Sequence, residues 1–495
     1  MEKASVYIHT KFHNGRVDER IFGGFLEHLG RAVYQGVFEP DSNKADEDGF
    51  RRDVMAALKK LNMTAMRWPG GNFASGYHWM DGIGPKDKRP VVLDLAWQSL
   101  EPNQFGTDEF IRLCKKMDWQ PMITVNLGTG TPEEAGKWVE YCNLPAGTIY
   151  ANMRVENKST QPYGVKLWCL GNEMDGIWQL GHLPSEHYAI KAQQAAKIMK
   201  DIDKNIELVV CGSCSISMPT YMEWDRVVLD YCWDFVDYIS LHRYVGNYNN
   251  DTYDFVAVAN SIDRQIEEMA AVCAFVKAKK KSNKNVYLCF DEWNVWYKNH
   301  EKDGKGKFAP NLLEEIYNLE DAIVVAEFLM SFIRHADVVK IANIAQIVNV
   351  IAPVLTRKQD ILIQSIFYPF EMISKRRKGI SLKAFVEGKT YESKSYGEIS
   401  YIDACAIQDK ENLHIFLINR SLEKTIELSI DPADIEIEKV ENAEILTGKD
   451  PKAANSFENK EEIIPEDFCQ IKTSGGKAVC EIPPFSFVAI TFKVI

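Results

Sequence analysis

Two apolar runs in this 495-residue chain end on a carboxylate. Val165-Lys-Leu-Trp-Cys-Leu170 leads into Gly171-Asn172-Glu173, and Val286-Tyr-Leu-Cys-Phe290 leads into Asp291-Glu292-Trp293. A short apolar run of this kind reads as a buried strand, which puts each glutamate at a strand end. Two carboxyl groups gathered in one place can cleave a glycosidic bond. One protonates the departing oxygen, and the other attacks the sugar carbon or activates water. The two segments are far apart in the chain, so only a fold that collects strand ends can unite them.

The elements that would do so are legible. Eight strand-like runs precede residue 350, at 21–27, 65–68, 122–126, 165–170, 207–212, 236–242, 286–290 and 338–344. Helical patterns fall between several of them, at 50–61, 107–117, 185–202, 261–279 and 319–335. Repeated strand–helix alternation implies parallel strands, and eight such units close into a (β/α)8 TIM barrel, an α/β fold whose sites lie at the carboxyl ends of its strands. Glu173 after the fourth strand and Glu292 after the seventh would then face one mouth. Beyond about residue 378 the pattern changes to short alternating runs at 413–418, 425–430 and 485–492, which read as a β-sandwich. A further run, Ser5 to His9, could pair with that sandwich. The expected division is residues 1–16 as a strand joining the β-sandwich, 17–378 as the barrel and 379–495 as the C-terminal β-sandwich.

Composition removes several classes of function. A net charge of −12, from 58 basic and 70 acidic residues, speaks against nucleic acid as a partner. The lysines at 277 and 279–281 read as the solvated end of a helix. No apolar segment follows Met1-Glu-Lys-Ala-Ser-Val, and no run of about 18 apolar residues occurs, so neither secretion nor a membrane span is signalled and a cytoplasmic location is expected. The eleven cysteines are an odd set, and Cys114, Cys169, Cys232 and Cys289 sit in apolar patterns as reduced thiols do. Cys211-Gly-Ser-Cys214 lacks a second pair and reads as structural. His28, His78, His182 and His242 form no HxH or HExxH spacing. Neither a metal nor an organic cofactor is expected.

Several separate motifs, spread over nearly the whole chain, point to one family. Gly24-Phe-Leu-Glu-His-Leu-Gly-Arg-Ala-Val-Tyr34, Arg67-Trp-Pro-Gly-Gly-Asn72, Leu95-Ala-Trp97, Leu170-Gly-Asn-Glu-Met-Asp175 and Asp291-Glu-Trp-Asn-Val-Trp-Tyr297 together resemble the α-L-arabinofuranosidases of glycoside hydrolase family 51. The resemblance implies that Glu173 is the general acid/base and Glu292 the nucleophile of a retaining reaction. Their carboxyl groups should then lie roughly 5 to 5.5 Å apart, with the charge on Glu292 keeping Glu173 protonated until the sugar esterifies Glu292. It further implies that Asn172 binds the sugar 2-hydroxyl, with a turn-capping role as the alternative. Tyr244 would orient the nucleophile, or else be an ordinary buried tyrosine. Glu27, Arg67, Asn72 and Gln346 match positions lining the furanose pocket, although Arg67 could equally be an ion-pair partner that holds a carboxylate. Trp97 and Trp296 would be apolar walls for a sugar face.

The chain departs from the family pattern at Met80, where an acidic residue is common, at Arg243-Tyr-Val245, in place of a more usual aromatic pair, and at Gln35, where a small residue is frequent. These departures leave the outer subsites open. The implied activity is exo-acting release of arabinofuranosyl residues from arabinoxylan or arabinan oligosaccharides, by a homo-oligomer for which the resemblance suggests a hexamer. The alternatives are a β-xylosidase or endoglucanase on the same scaffold and, from another class, a non-catalytic sugar-binding protein. The two intact carboxylates argue against the last.

Overall fold

The computed structural model describes residues 2–301 and 304–495. The first strand, β1 (Glu2–Arg16), lies outside the barrel. The next eight close it: β2 (Gly23–Phe25), β3 (Ala65–Trp68), β4 (Gln120–Thr124), β5 (Leu167–Leu170), β6 (Glu207–Cys211), β7 (Tyr238–Val245), β8 (Tyr287–Val295) and β9 (Val339–Ala345). All neighbouring pairs around the ring are parallel. Helices cover the outer face, so most barrel strands are buried on both faces and read as continuous apolar runs. Met122, Leu167, Cys169, Val209, Tyr238, Cys289 and Ile341 form a separate apolar cluster drawn from six barrel strands, β5 giving both Leu167 and Cys169. That plug leaves only the carboxyl-end mouth for polar chemistry.

Three sequence boundaries move, each for a physical reason. The first barrel strand is only Gly23–Phe25, because Glu19–Phe22 is wound into a 3-10 turn capped by the Asp18 carboxylate. The sixth runs on through Tyr244, which is therefore in the strand rather than after it. The seventh does not stop before its acidic pair but continues to Val295. Its register explains this. Cys289 pairs with Ser240 and Glu292 with His242 on one side, while Phe290 pairs with Ala342 and Trp293 with Ile344 on the other. β8 thus takes in one extra residue against both neighbours, a bulge that lets adjacent side chains reach the same side.

Nine later strands, β10 (Ile380–Glu387), β11 (Ile402–Gln408), β12 (Asn412–Asn419), β13 (Ile426–Pro432), β14 (Ile437–Thr447), β15 (Glu466–Asp467), β16 (Ile471–Ser474), β17 (Lys477–Ile482) and β18 (Ser486–Val494), join β1 in a ladder ordered β15-β14-β18-β12-β11-β10-β1-β13-β17-β16. The ladder folds over its own core, and its two ends meet where the Ile437 amide bonds the Gly476 carbonyl at 2.9 Å. The result is the C-terminal β-sandwich. Helix Leu319–Arg334 packs between barrel and sandwich and is buried nearly all round, as a helix enclosed on every side should be. Within it, Glu327 receives the Arg420 guanidinium at 2.8 Å, a buried ion pair across the two units. All eleven cysteines are free thiols, ten of them buried.

Candidate active site

Glu173 follows β5 through a turn that needs Gly171, whose φ of +90° is unfavourable for any residue with a Cβ. That turn lifts the glutamate over the barrel mouth. The β8 bulge turns both Asp291 and Glu292 toward the Arg67 guanidinium, which contacts them at 3.2 and 2.7 Å. The other arm of Arg67 donates to Asn172 Oδ1 at 2.7 Å, and Asn172 donates to Asn72 Oδ1 at 3.3 Å. Tyr244 donates its hydroxyl to Glu292 Oε2 at 2.8 Å and meets Trp296 edge-on, with ring centres 5.5 Å apart.

His242 stands between the carboxylates. Its Nδ1 is 2.9 Å from Glu173 Oε1 and 3.5 Å from Glu292 Oε2, and its Nε2 is 3.3 Å from Asp291 Oδ1. One oxygen of Glu173, one of Glu292 and a His242 nitrogen all lie within 4.8 Å of one another. Such a trio could ligate a metal, but its donors are already engaged: both histidine nitrogens face carboxylates, and Arg67 holds Glu292. The exposed trio Asp46, Glu47 and Asp48 is likewise gathered on the Lys116 ammonium.

A cavity of about 340 Å³ opens above these groups. Glu27, Asn72, Trp97, Glu173, Tyr244, Glu292, Trp296 and Gln346 all line it, so the sequence candidates converge on one cavity. Arg67 and Asn172 lie just beneath it, both essentially buried. Glu27 is held by Trp97 Nε1 at 3.1 Å and the Phe73 amide at 2.9 Å, and its own amide donates to Gln346 Oε1 at 2.9 Å. Gly71 also lines the wall, and a Cβ there would lie 2.9 Å from Glu292 Oε1. Trp178, Cys214 and Ser215 complete that side, and none of these three was picked out from the sequence. The signal for Trp178 was available, since it stands five residues after Glu173 in a loop at the expected mouth.

The electrostatics of the site differ from the sequence expectation. Burial favours the neutral form of Glu173, but the hydrogen bond and charge of His242 and the N–H of Trp178, 2.7 Å from Oε2, outweigh it and hold the carboxyl below the usual range. His242 is pushed well above the ordinary imidazole value: burial opposes this, and the charges of Glu292 and Asp291 prevail. The proton expected on Glu173 therefore resides on its neighbour. Glu27 goes the other way, raised to about 8 by burial and by the nearby charge of Glu292.

Matches to known proteins agree with this architecture. The profile of the α-L-arabinofuranosidase 1 domain matches residues 57–255, and that of the α-L-arabinofuranosidase C-terminal domain matches residues 291–486. An intracellular exo-α-(1→5)-L-arabinofuranosidase of Acetivibrio thermocellus is 44% identical over 477 residues, covering 94% of this chain and 95% of the relative. The chain belongs to the family 51 α-L-arabinofuranosidases. An exo-α-(1→6)-L-arabinofuranosidase of Bifidobacterium longum is 40% identical, covering 100% of this chain and 98% of that one. The structure of a family 51 α-L-arabinofuranosidase from Bifidobacterium longum superposes with a TM-score of 0.96 at 34% identity, covering 99% of this chain and all of that one. An arabinose complex of the Thermotoga maritima α-L-arabinofuranosidase gives 0.89 at 34% identity, with the same coverage. Among the described residues no helix is long and apolar enough to cross a membrane.

Proposed function

We propose that this family 51 protein is an exo-acting retaining α-L-arabinofuranosidase in which Glu292 attacks the anomeric carbon and Glu173 handles the proton. The observation that carries the reading is the approach of one Glu173 oxygen and one Glu292 oxygen to within 4.8 Å, in keeping with the roughly 5 to 5.5 Å of retaining enzymes and short of the roughly 6.5 to 9.5 Å of inverting ones. Arg67 and Tyr244 hold Glu292 and aim it. His242 Nδ1 holds the proton that Glu173 delivers to the departing oxygen, a transfer favoured once substrate displaces the Trp178 donor and excludes water. When Glu292 is esterified its charge is lost, and Glu173 takes a proton from the incoming water.

Asn172 and Asn72 are positioned to bind the sugar hydroxyls, Glu27 and Gln346 to close the furanose pocket, and Trp97 and Trp296 to wall it. The substrate is an arabinose-containing oligosaccharide. Relatives of similar identity are named for 1→5 and for 1→6 linkages, so the preferred linkage is not carried over from them. The proposal extends to a cytoplasmic homo-oligomer, in keeping with relatives named intracellular, and to domain limits at residues 16/17 and 378/379.

The test is turnover of aryl α-L-arabinofuranoside against aryl β-D-xyloside, with Glu292→Ala as the control. Arabinofuranoside should be favoured. Glu292→Ala should lose activity on the order of 10⁵-fold, with azide restoring an inverted arabinosyl azide. Equal or better xyloside cleavage, or a retained product in the azide rescue, would reject the assignment.

A further inference from the structure

Arg243 directly follows His242 on β7 and points to the other side of the strand, away from the catalytic cluster. It is one of the positions at which this chain departs from the pattern of its family. The residue is 9% exposed. Its guanidinium donates to Ser261 Oγ at 2.6 Å, its Nε has no hydrogen-bond partner, and among the described residues no carboxylate pairs with it. A buried arginine without a counter-charge is costly, and proteins normally satisfy one with a bidentate carboxylate. The groups that act on its charge are the phenols of Tyr396 and Tyr221, which only partly offset the burial.

That guanidinium lines a second cavity of about 340 Å³. Ser215 and Tyr244 line both this cavity and the catalytic one, so the two are adjacent and share a wall. Tyr248, 70% exposed, stands at its rim with its hydroxyl on the Trp296 carbonyl at 3.3 Å, linking it to a wall of the catalytic pocket. Two carboxylates also face the cavity, and both are already engaged. Asp251 caps the Asp254 amide and pairs with Lys394. Asp254 accepts from Ser393 Oγ and from the amide and hydroxyl of Ser395. Arg243 remains the one charged side chain of that lining with an unpartnered polar atom.

We propose that this cavity is a distal subsite for a carboxylate-bearing sugar, a uronic acid carried on the aglycone of the arabinoside, with Arg243 as its counter-ion. The aglycone leaves the catalytic pocket past Tyr244, its sugar face rests on the exposed Tyr248 ring, and the uronate carboxylate pairs with the guanidinium through an Nη N–H, supplying the counter-charge that the buried group lacks. Specificity of this kind requires no new chemistry, since an unpaired buried cation rejects a substrate that leaves it unpaired.

The inference rests on the arabinofuranosidase reading, and the experiment separates the two. Two arabinofuranosyl oligosaccharides would be compared that differ only at C-6 of one aglycone sugar, galacturonate against galactose, alongside an aryl α-L-arabinofuranoside. The expected result is a kcat/KM about tenfold higher for the galacturonate substrate, the value of one charge-assisted pair. Arg243→Gln should bring the ratio to one, and Arg243→Lys should leave an intermediate ratio. Because the readout is a ratio within each preparation, a general loss of activity cancels. A wild-type ratio of one, or a preference that survives Arg243→Gln, would overturn the subsite while aryl turnover still supports the enzyme. Free D-glucuronate that raises the melting temperature of the wild type but not of Arg243→Gln, with no discrimination between the two oligosaccharides, would also overturn it in favour of a free anion. Failure to cleave the aryl substrate would instead reject the underlying activity.

Discussion

Trp178 donates its indole N–H to Oε2 of Glu173 at 2.7 Å, while His242 occupies Oε1 at 2.9 Å, so the carboxylate has a donor on each oxygen. Trp178 itself is 55% exposed, on a loop that a leaving group would meet first. Replacing it by phenylalanine keeps the ring and deletes the donor. Glu173 then loses one stabiliser of its charged form, and its proton affinity rises. The alkaline limb of kcat/KM, which reports the proton held by the Glu173–His242 pair, should move to higher pH in Trp178→Phe as the carboxyl's share of that proton grows. A pH profile on a substrate with a poor leaving group checks this, and an unmoved limb would show that the indole bond does not set the titration.

Gly71 is small because Glu292 is next to it. A methyl group at Gly71 would lie 2.9 Å from Glu292 Oε1 and 3.3 Å from Glu27 Oε2. Gly71→Ala should therefore tilt the nucleophile away from the Arg67 and Tyr244 bonds that aim it, costing on the order of 10²-fold in kcat. The melting temperature should change little. Loss of activity together with loss of fold would place the glycine in the core instead.

Glu27 has a folded pKa of about 8, above the ordinary 4.5, so the native state binds a proton that the unfolded chain has already released. Its contribution to stability is intact below pH 4.5 and declines as the pH rises toward 8. Glu27→Gln removes that decline. The melting temperature of the variant relative to wild type should be higher at pH 8 than at pH 5, and a difference that does not change with pH would exclude a buried neutral carboxyl.

Arg420, just past the end of β12, meets Glu327 of the buried helix at 2.8 Å, Asp403 of β11 at 2.9 Å and the Val256 carbonyl. Arg420→Ala strands the Glu327 carboxylate in a fully buried helix and should destabilise by about 3 kcal/mol. A second change, Glu327→Gln, should recover part of that loss. Urea unfolding of the two variants measures both effects, and a double variant no better than the single would put the cost elsewhere.

The sequence carried the architecture because barrel strands and sandwich strands differ in ways that survive folding: unbroken apolar runs buried on two faces against alternating runs buried on one. Glu173 and Glu292 were equally plain, since each closes such a run. Asp291 was not. Strict alternation would send it to the opposite face from Glu292, and only the three-against-two register with both neighbouring strands reveals the bulge that turns both inward. His242 was visible as a residue but not in its role, because its place among three carboxylates depends on how β7 and β8 are aligned. Trp178 lay in a loop without periodicity. The protonation of Glu173 was misjudged because its decisive neighbour is 69 positions away.

The first strand has consequences for how the molecule is made. Ser5 pairs with Glu387 and Glu2 with Ile426, so this strand is synthesised long before either of its partners. Throughout that interval its 15 residues present two open edges, and the whole barrel must form inside a loop that is not yet closed. A chain interrupted before residue 380 has no partner for them. A product truncated before those partners exposes a sticky strand that invites aggregation and clearance.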